Sequence, residues 1–127
     1  MKVNSCKKFE IEFYTDQNGK CDISDFIDEL DSKPETNKDA RVQLRQVLFC
    51  IDMLSRNGNN LSTNIAKHIN DEIWELRPGK NRVLYFFQKN DKYVLLHHFV
   101  KKTQKTPKKE IEKAKKEMLD YIDREGK

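Results

Sequence analysis

Two arginines and a run of lysines are the residues of this 127-residue chain best suited to chemistry. Arg77 and Arg82 flank the Pro78-Gly79 turn, which brings two planar guanidinium forks to one sheet edge, where each can grip a phosphate through two bonds. On the plain reading they are exposed arginines beside a turn. Lys101, Lys102 and Lys105 follow an apolar run and precede a helix start. Neighbouring strand residues point to opposite faces, so one of Lys101 and Lys102 aims into a shared site, and Lys102 is the favoured one. With Lys108 and Lys109, Lys101 and Lys105 also read as a solvated basic loop and first helical turn. Positive charge at a helix N-terminus opposes the helix dipole, however, and a bound anion relieves that conflict. A packed strand gains nothing from such a border of cations, whereas a surface that holds phosphates does.

Glu75 precedes Arg77 by two residues, and the period of a strand puts carboxylate and guanidinium on one face. It is a candidate base, and equally a brace for Arg77 in a salt bridge. Unperturbed histidine titrates near neutrality, which adds His97 and His98 to the candidates. One of the pair should face the helices and the other the open side of the sheet; strand parity with Val100 and Lys102 selects His98. A histidine in an apolar strand is also a common packing residue. Tyr85 and Trp74 can stack on unpaired bases or pack in the core, since both lie within apolar strands. Cys6, Cys21 and Cys50 are odd in number and show no CxxC or Cys/His ligand spacing, against both a disulfide framework and a zinc site. No metal or other cofactor is expected, and the cytoplasm is the expected compartment.

The elements that must position these residues follow from periodicity. Phe9, Ile11 and Phe13 alternate with polar or amphipathic neighbours, the mark of a strand with one dry face. Ile23, Phe26, Ile27 and Leu30 predict a short amphipathic helix behind Asp22 or Ser24 as N-cap. Leu44, Val47, Leu48, Ile51 and Leu54 predict a longer one that stops near Asn57-Gly58. Strands are expected at roughly 73 to 77, 82 to 88 and 92 to 100, joined by Pro78-Gly79-Lys80-Asn81 and Asn90-Asp91 into an antiparallel meander. Thr106 as N-cap and Pro107 at the first helical position open a last helix carrying Ile111, Ala114, Met118 and Ile122 and ending at Gly126. The order β-α-α-β-β-β-α predicts an α+β layer, an antiparallel sheet with two N-terminal helices packed on one face, a C-terminal helix, and the other face at least partly free.

The length is that of one domain, residues 1 to 127, with room for a single core. Hydrophobic and charged residues each make up 36% of it. The formal charge of +4 is unevenly spread: residues 1 to 60 carry 9 basic and 11 acidic side chains, net −2, and residues 61 to 127 carry 16 and 10, net +6. The start of the chain lacks the apolar stretch of a secretory signal, and no segment is long and apolar enough to span a membrane.

The order of elements, with Trp74-Glu75-Leu76-Arg77, Asn81-Arg82-Val83-Leu84-Tyr85 and Phe99-Val100-Lys101-Lys102-Thr103-Gln104-Lys105-Thr106-Pro107, resembles the HigB branch of the RelE-type toxins, which also occur as phage-derived proteins. The likeness extends over about residues 9 to 124, and the distinctive motifs lie between Lys67 and Pro107. It implies the toxin of a type II toxin-antitoxin module: an endoribonuclease that cuts mRNA, in most members in the ribosomal A site, within a hetero-oligomeric complex with a helix-turn-helix, HigA-like antitoxin. Such cleavage needs no metal. The RNA 2′-hydroxyl is the nucleophile, so the site must align it, take its proton and neutralise the growing charge. Lys102 falls where the family places a cation or histidine for the leaving oxygen. An exposed lysine, with a pKa of roughly 10.4, donates a proton poorly at neutral pH, so Lys102 acts either through neighbours that lower that value or purely as a permanent charge. Lys67, where the family commonly carries a lysine, either touches the RNA backbone or is an ordinary surface residue; Lys101, Lys105 and Tyr85 complete the expected RNA contacts. Two other classes account for the same cations: a noncatalytic nucleic-acid-binding module, and a protein-interaction domain whose basic face docks an acidic partner. The acidic first helix is a possible second contact area.

Overall fold

The computed structural model describes residues 8–125. The alternation from Phe9 to Phe13 forms strand β1 (Glu10–Phe13), and two helices follow, α1 (Asp22–Asp31) and α2 (Lys38–Asn57). At the start of α1 the cap position falls to Cys21, which makes no side-chain cap bond; Asp22 turns its carboxylate to His98 instead of capping. Helix α2 has the ordinary device: the Asn37 side chain accepts from the Ala40 amide at 3.0 Å. It stops at Gly58, whose φ of 61° lies in the left-handed region.

Four strands come next: β2 (Ala66–Asn70), β3 (Ile73–Leu76), β4 (Asn81–Gln88) and β5 (Lys92–Val100), and α3 (Lys108–Glu125) closes the chain. The expected α+β plan is present, with two differences. Strand β2 is additional, and the sheet is mixed: its order is β1-β5-β4-β3-β2, with β1 parallel to β5 and every other pair antiparallel. The turn between β4 and β5 uses Asn90 and Asp91 with φ of 68° and 58°, which suits a tight hairpin. Gly126, the expected helix stop, and Cys6 lie outside the described residues.

Helices cover both sheet faces. Ile23 of α1 and Cys50 and Leu54 of α2 pack with Leu76, Val83, Tyr85, Tyr93 and Leu95 on one side. On the other, Ala114, Met118 and Tyr121 of α3 pack with Ile73, Leu84, Phe86, Val94 and Leu96. The face expected to be free is therefore closed over its middle by α3, and what stays open is the end where β3, β4 and β5 meet the loop from Lys101 to Pro107. Among the described residues no helix is long and apolar enough to cross a membrane.

Candidate functional site

Strand parity selects what reaches that open end. Trp74 and Leu76 of β3 turn to α1 and α2 while Ile73 faces α3, so Glu75 also points to the α3 side. Val83 and Tyr85 take the α1 and α2 side of β4, leaving Arg82 beside Glu75. Glu75, Arg77, Arg82, Phe99, Lys101, Lys102 and the loop through Lys105, Thr106 and Pro107 line one cleft. The Pro78-Gly79 turn makes this possible: Gly79 has φ 59°, and its carbonyl, with that of Asn81, accepts from Arg82 Nη1 at 2.8 Å each. Arg77 Nη1 is tied to the Thr63 carbonyl at 3.0 Å.

Glu75 sits between the two arginines. Its Oε2 lies 3.5 Å from Arg77 Nε and 3.6 Å from Arg82 Nε, and Thr106 Oγ1 donates to its Oε1 at 2.6 Å. Both oxygens are engaged and the residue is 3% exposed, which is the geometry of a brace. The carboxylate holds two like charges together and, through Thr106, pins the loop that carries the lysines. Burial pulls the Arg82 guanidinium below the ordinary arginine value, against the attraction of Glu75, and the charge of Arg77 adds to the lowering. Arginine remains charged at neutral pH despite such a shift. Arg77 is the more open of the two, with a side chain 23% exposed, so its fork is the one best presented to an anion entering from solvent.

Arg77, Arg82, Lys101, Lys102 and Lys105 are thus brought together with Glu75, and both Lys101 and Lys102 line the cleft because the chain leaves the strand at Val100. Strand β2 accounts for Lys67. Paired opposite Glu75, it lies in a groove that adjoins the cleft and also contains Arg77, Gln104 and Lys105. Two expected residues are elsewhere. His98 is on the α1 side, stacked on Phe26 with ring centroids 3.8 Å apart and with Nδ1 2.7 Å from Asp22 Oδ2. Parity with Val100 holds, but the strand ends there and does not carry on to Lys102, and the extra residue Leu96 in β5, where Leu84 pairs with His97 and Tyr85 with Leu95, puts His97 rather than His98 on the α3 side. Tyr85 is fully buried on the α1 and α2 face, its hydroxyl donating to Asn59 Oδ1 at 2.7 Å, and has no route to a base. Burial drives its hydroxyl pKa upward.

Thr106, Gln104 and Phe99 join the cleft unforeseen. Thr106 was expected to cap α3, yet its hydroxyl goes to Glu75; only the three-dimensional approach of the loop to β3 reveals that use. Of the two thiols described, Cys50 is buried among the helices, and burial pushes it up to about 11, which makes it unreactive. Among the described residues no group of three or more His, Cys, Asp or Glu side chains is placed to hold a metal ion.

Fold and site together define a small α+β protein with a cationic, carboxylate-braced cleft at one end of its sheet. The chain belongs to the phage derived protein Gp49-like family, whose sequence profile matches residues 25–119. No curated protein matches it in sequence. Among solved structures, it is similar to a chain of the archaeal RelE-RelB complex from Pyrococcus horikoshii OT3, at 15% identity over 73% of this chain and 94% of that one, with a TM-score of 0.47.

Proposed function

We propose that this chain is the toxin of a type II toxin-antitoxin module, of the HigB branch: an endoribonuclease that cuts mRNA on the ribosome and is neutralised by a helix-turn-helix antitoxin. The observation that carries the reading is the meeting of Arg77, Arg82, Lys101 and Lys102 around one buried carboxylate. Arginines held in fixed geometry, as Arg77 and Arg82 are, stabilise the charge that grows on a phosphorane far better than mobile surface cations do. In this reading the RNA 2′-oxygen, its proton passing to solvent, attacks the adjacent phosphorus and the bond to the 5′-oxygen of the next nucleotide breaks, leaving a cyclic phosphate and a 5′-oxygen that takes a proton from solvent to become a free hydroxyl. Arg77 and Arg82 grip the nonbridging oxygens, and Lys102 neutralises the departing oxygen.

Proton transfer is the weak side of the cleft. No histidine lines it, and Glu75 has both oxygens occupied. Chemistry of this kind is slow unless the substrate arrives already bent into line, which fits action on mRNA shaped by the ribosome.

Inducible expression tests the proposal. The native chain should arrest growth and cut mRNA within translated frames, while Arg82→Ala and Lys102→Ala should relieve both. If purified protein binds RNA but leaves ribosome-bound mRNA whole, the cleft belongs to a noncatalytic binding module.

A further inference from the structure

His97 is fully buried, and the cleft chemistry leaves it unused. The extra residue at Leu96 turns it toward α3, where Nδ1 lies 2.6 Å from Glu117 Oε1 and Nε2 lies 2.9 Å from Glu110 Oε1. A neutral imidazole has one donor and one acceptor nitrogen, and an ionised carboxylate only accepts. Two carboxylates at hydrogen-bond distance from both nitrogens are satisfied together only when each nitrogen carries a proton. Glu110 and Glu117 are seven residues, two helical turns, apart on α3, so one ring grips two successive levels of the helix.

The grip leads to the cleft through an unbroken set of contacts. The Glu110 amide donates to the Pro107 carbonyl at 3.0 Å. Pro107 adjoins Thr106, whose hydroxyl donates to Glu75, and Glu75 braces Arg77 and Arg82. We propose that His97 is a positioning residue: carrying a proton on both ring nitrogens and gripped by Glu110 and Glu117, it fixes the start of α3 and, with it, the loop from Lys101 to Pro107 that forms the cleft wall. The charges that face it are Glu110 and Glu117 on α3. Asp22 on α1 feels its charge from the opposite side.

The inference goes beyond nuclease activity and needs only the cleft, not cutting. Nitrogen-detected NMR of the full chain at pH 7 should show both ring nitrogens of His97 protonated. As pH is raised and that proton leaves, the amide signals of Lys102 and Thr106 should move in step with the ring. Glu117→Gln keeps an acceptor and removes a charge, and Glu117 does not line the cleft. For a 2′-O-methyl oligoribonucleotide, which cannot be cut, this variant should bind roughly tenfold more weakly than the native chain at pH 7, an effect of the size seen for residues that act through others. A single neutral tautomer at pH 7, or loop amides that stay still while the ring loses its proton, overturns the proposal. The native chain gives both readings if the variant does not fold. If the native chain binds no RNA at all, the proposed function fails while the ring and loop signals still decide the role of His97.

Discussion

At the scale of single residues, Glu75 sets the charge balance of the cleft. Its side chain is 4% exposed and the Arg82 side chain 8%, so Glu75→Ala strands a buried guanidinium beside a second cation. Removing one partner of a buried pair costs about 3–5 kcal/mol. The separations of 3.5 and 3.6 Å are long, and Arg82 keeps two carbonyl partners, which puts the expected loss near the lower end, about 3 kcal/mol, read from urea unfolding. Glu75→Gln keeps an acceptor for Thr106 and should lose less. Arg82→Lys tests geometry apart from charge. An ammonium cannot reach both carbonyls and a phosphate as the guanidinium fork does, so growth arrest should be relieved almost as fully as by Arg82→Ala; full toxicity in the lysine variant refutes a bidentate role. The brace was legible in sequence because Arg77, one residue past the end of β3, keeps the strand parity of Glu75. His98 lies on the opposite face because β5 stops at Val100, so its parity does not extend to Lys102, and because the extra residue Leu96, which leaves no signature in an apolar run such as Leu95-Leu96-His97, turns His97 rather than His98 toward α3.

At the scale of elements, the turn between β3 and β4 decides whether the arginines meet. Gly79 takes φ 59°, and a Cβ there would collide with the Gln46 side chain of α2. Gly19 has φ 82° with nothing within 4 Å. Each change to alanine carries the left-handed penalty of about 1–2 kcal/mol, and only Gly79→Ala must also displace Gln46. Thermal unfolding should therefore show the larger loss for Gly79→Ala, and only that variant should weaken RNA binding; equal losses would mean that Gln46 yields freely. The three meander strands, all three helices and this turn were readable from period and turn chemistry. Strand β2 was not, because Ala66-Lys67-His68-Ile69-Asn70 has no regular alternation and its pairing to β3 slips between His68 and Asn70. Nor does a four-residue strand such as β1 reveal whether its partner runs parallel; β5, far along the chain, settles that.

At the scale of the whole molecule, charge governs both stability and association. Burial raises the Asp22 carboxyl, yet hydrogen bonds from the His98 side chain and amide more than offset this and hold it below its ordinary value. Asp120 is held at about 2, chiefly by Arg124 and then by Tyr14 and Gln17. Both folded values lie under the unfolded one of about 3.9, so their stabilisation is complete above that pH and is lost as pH falls through the folded values. Urea midpoints should drop between pH 5 and pH 2, less steeply in Asp22→Asn and Asp120→Asn; an unchanged slope in both removes this account of acid sensitivity. The same asymmetry that makes residues 61 to 127 net +6 concentrates cations where the cleft and the Lys67 groove join. A single strand bound there releases counterions, and the logarithm of affinity falls with the logarithm of salt by about 0.7 for each phosphate neutralised. For a 2′-O-methyl oligoribonucleotide, Arg77→Ala, Lys102→Ala and Lys67→Ala should each reduce that slope by about 0.7. Lys38→Ala, at the start of α2 in a separate depression, should leave it unchanged. A slope insensitive to the cleft cations, or one that Lys38→Ala reduces equally, would make the attraction a property of net charge and strip the cleft of its part in holding RNA.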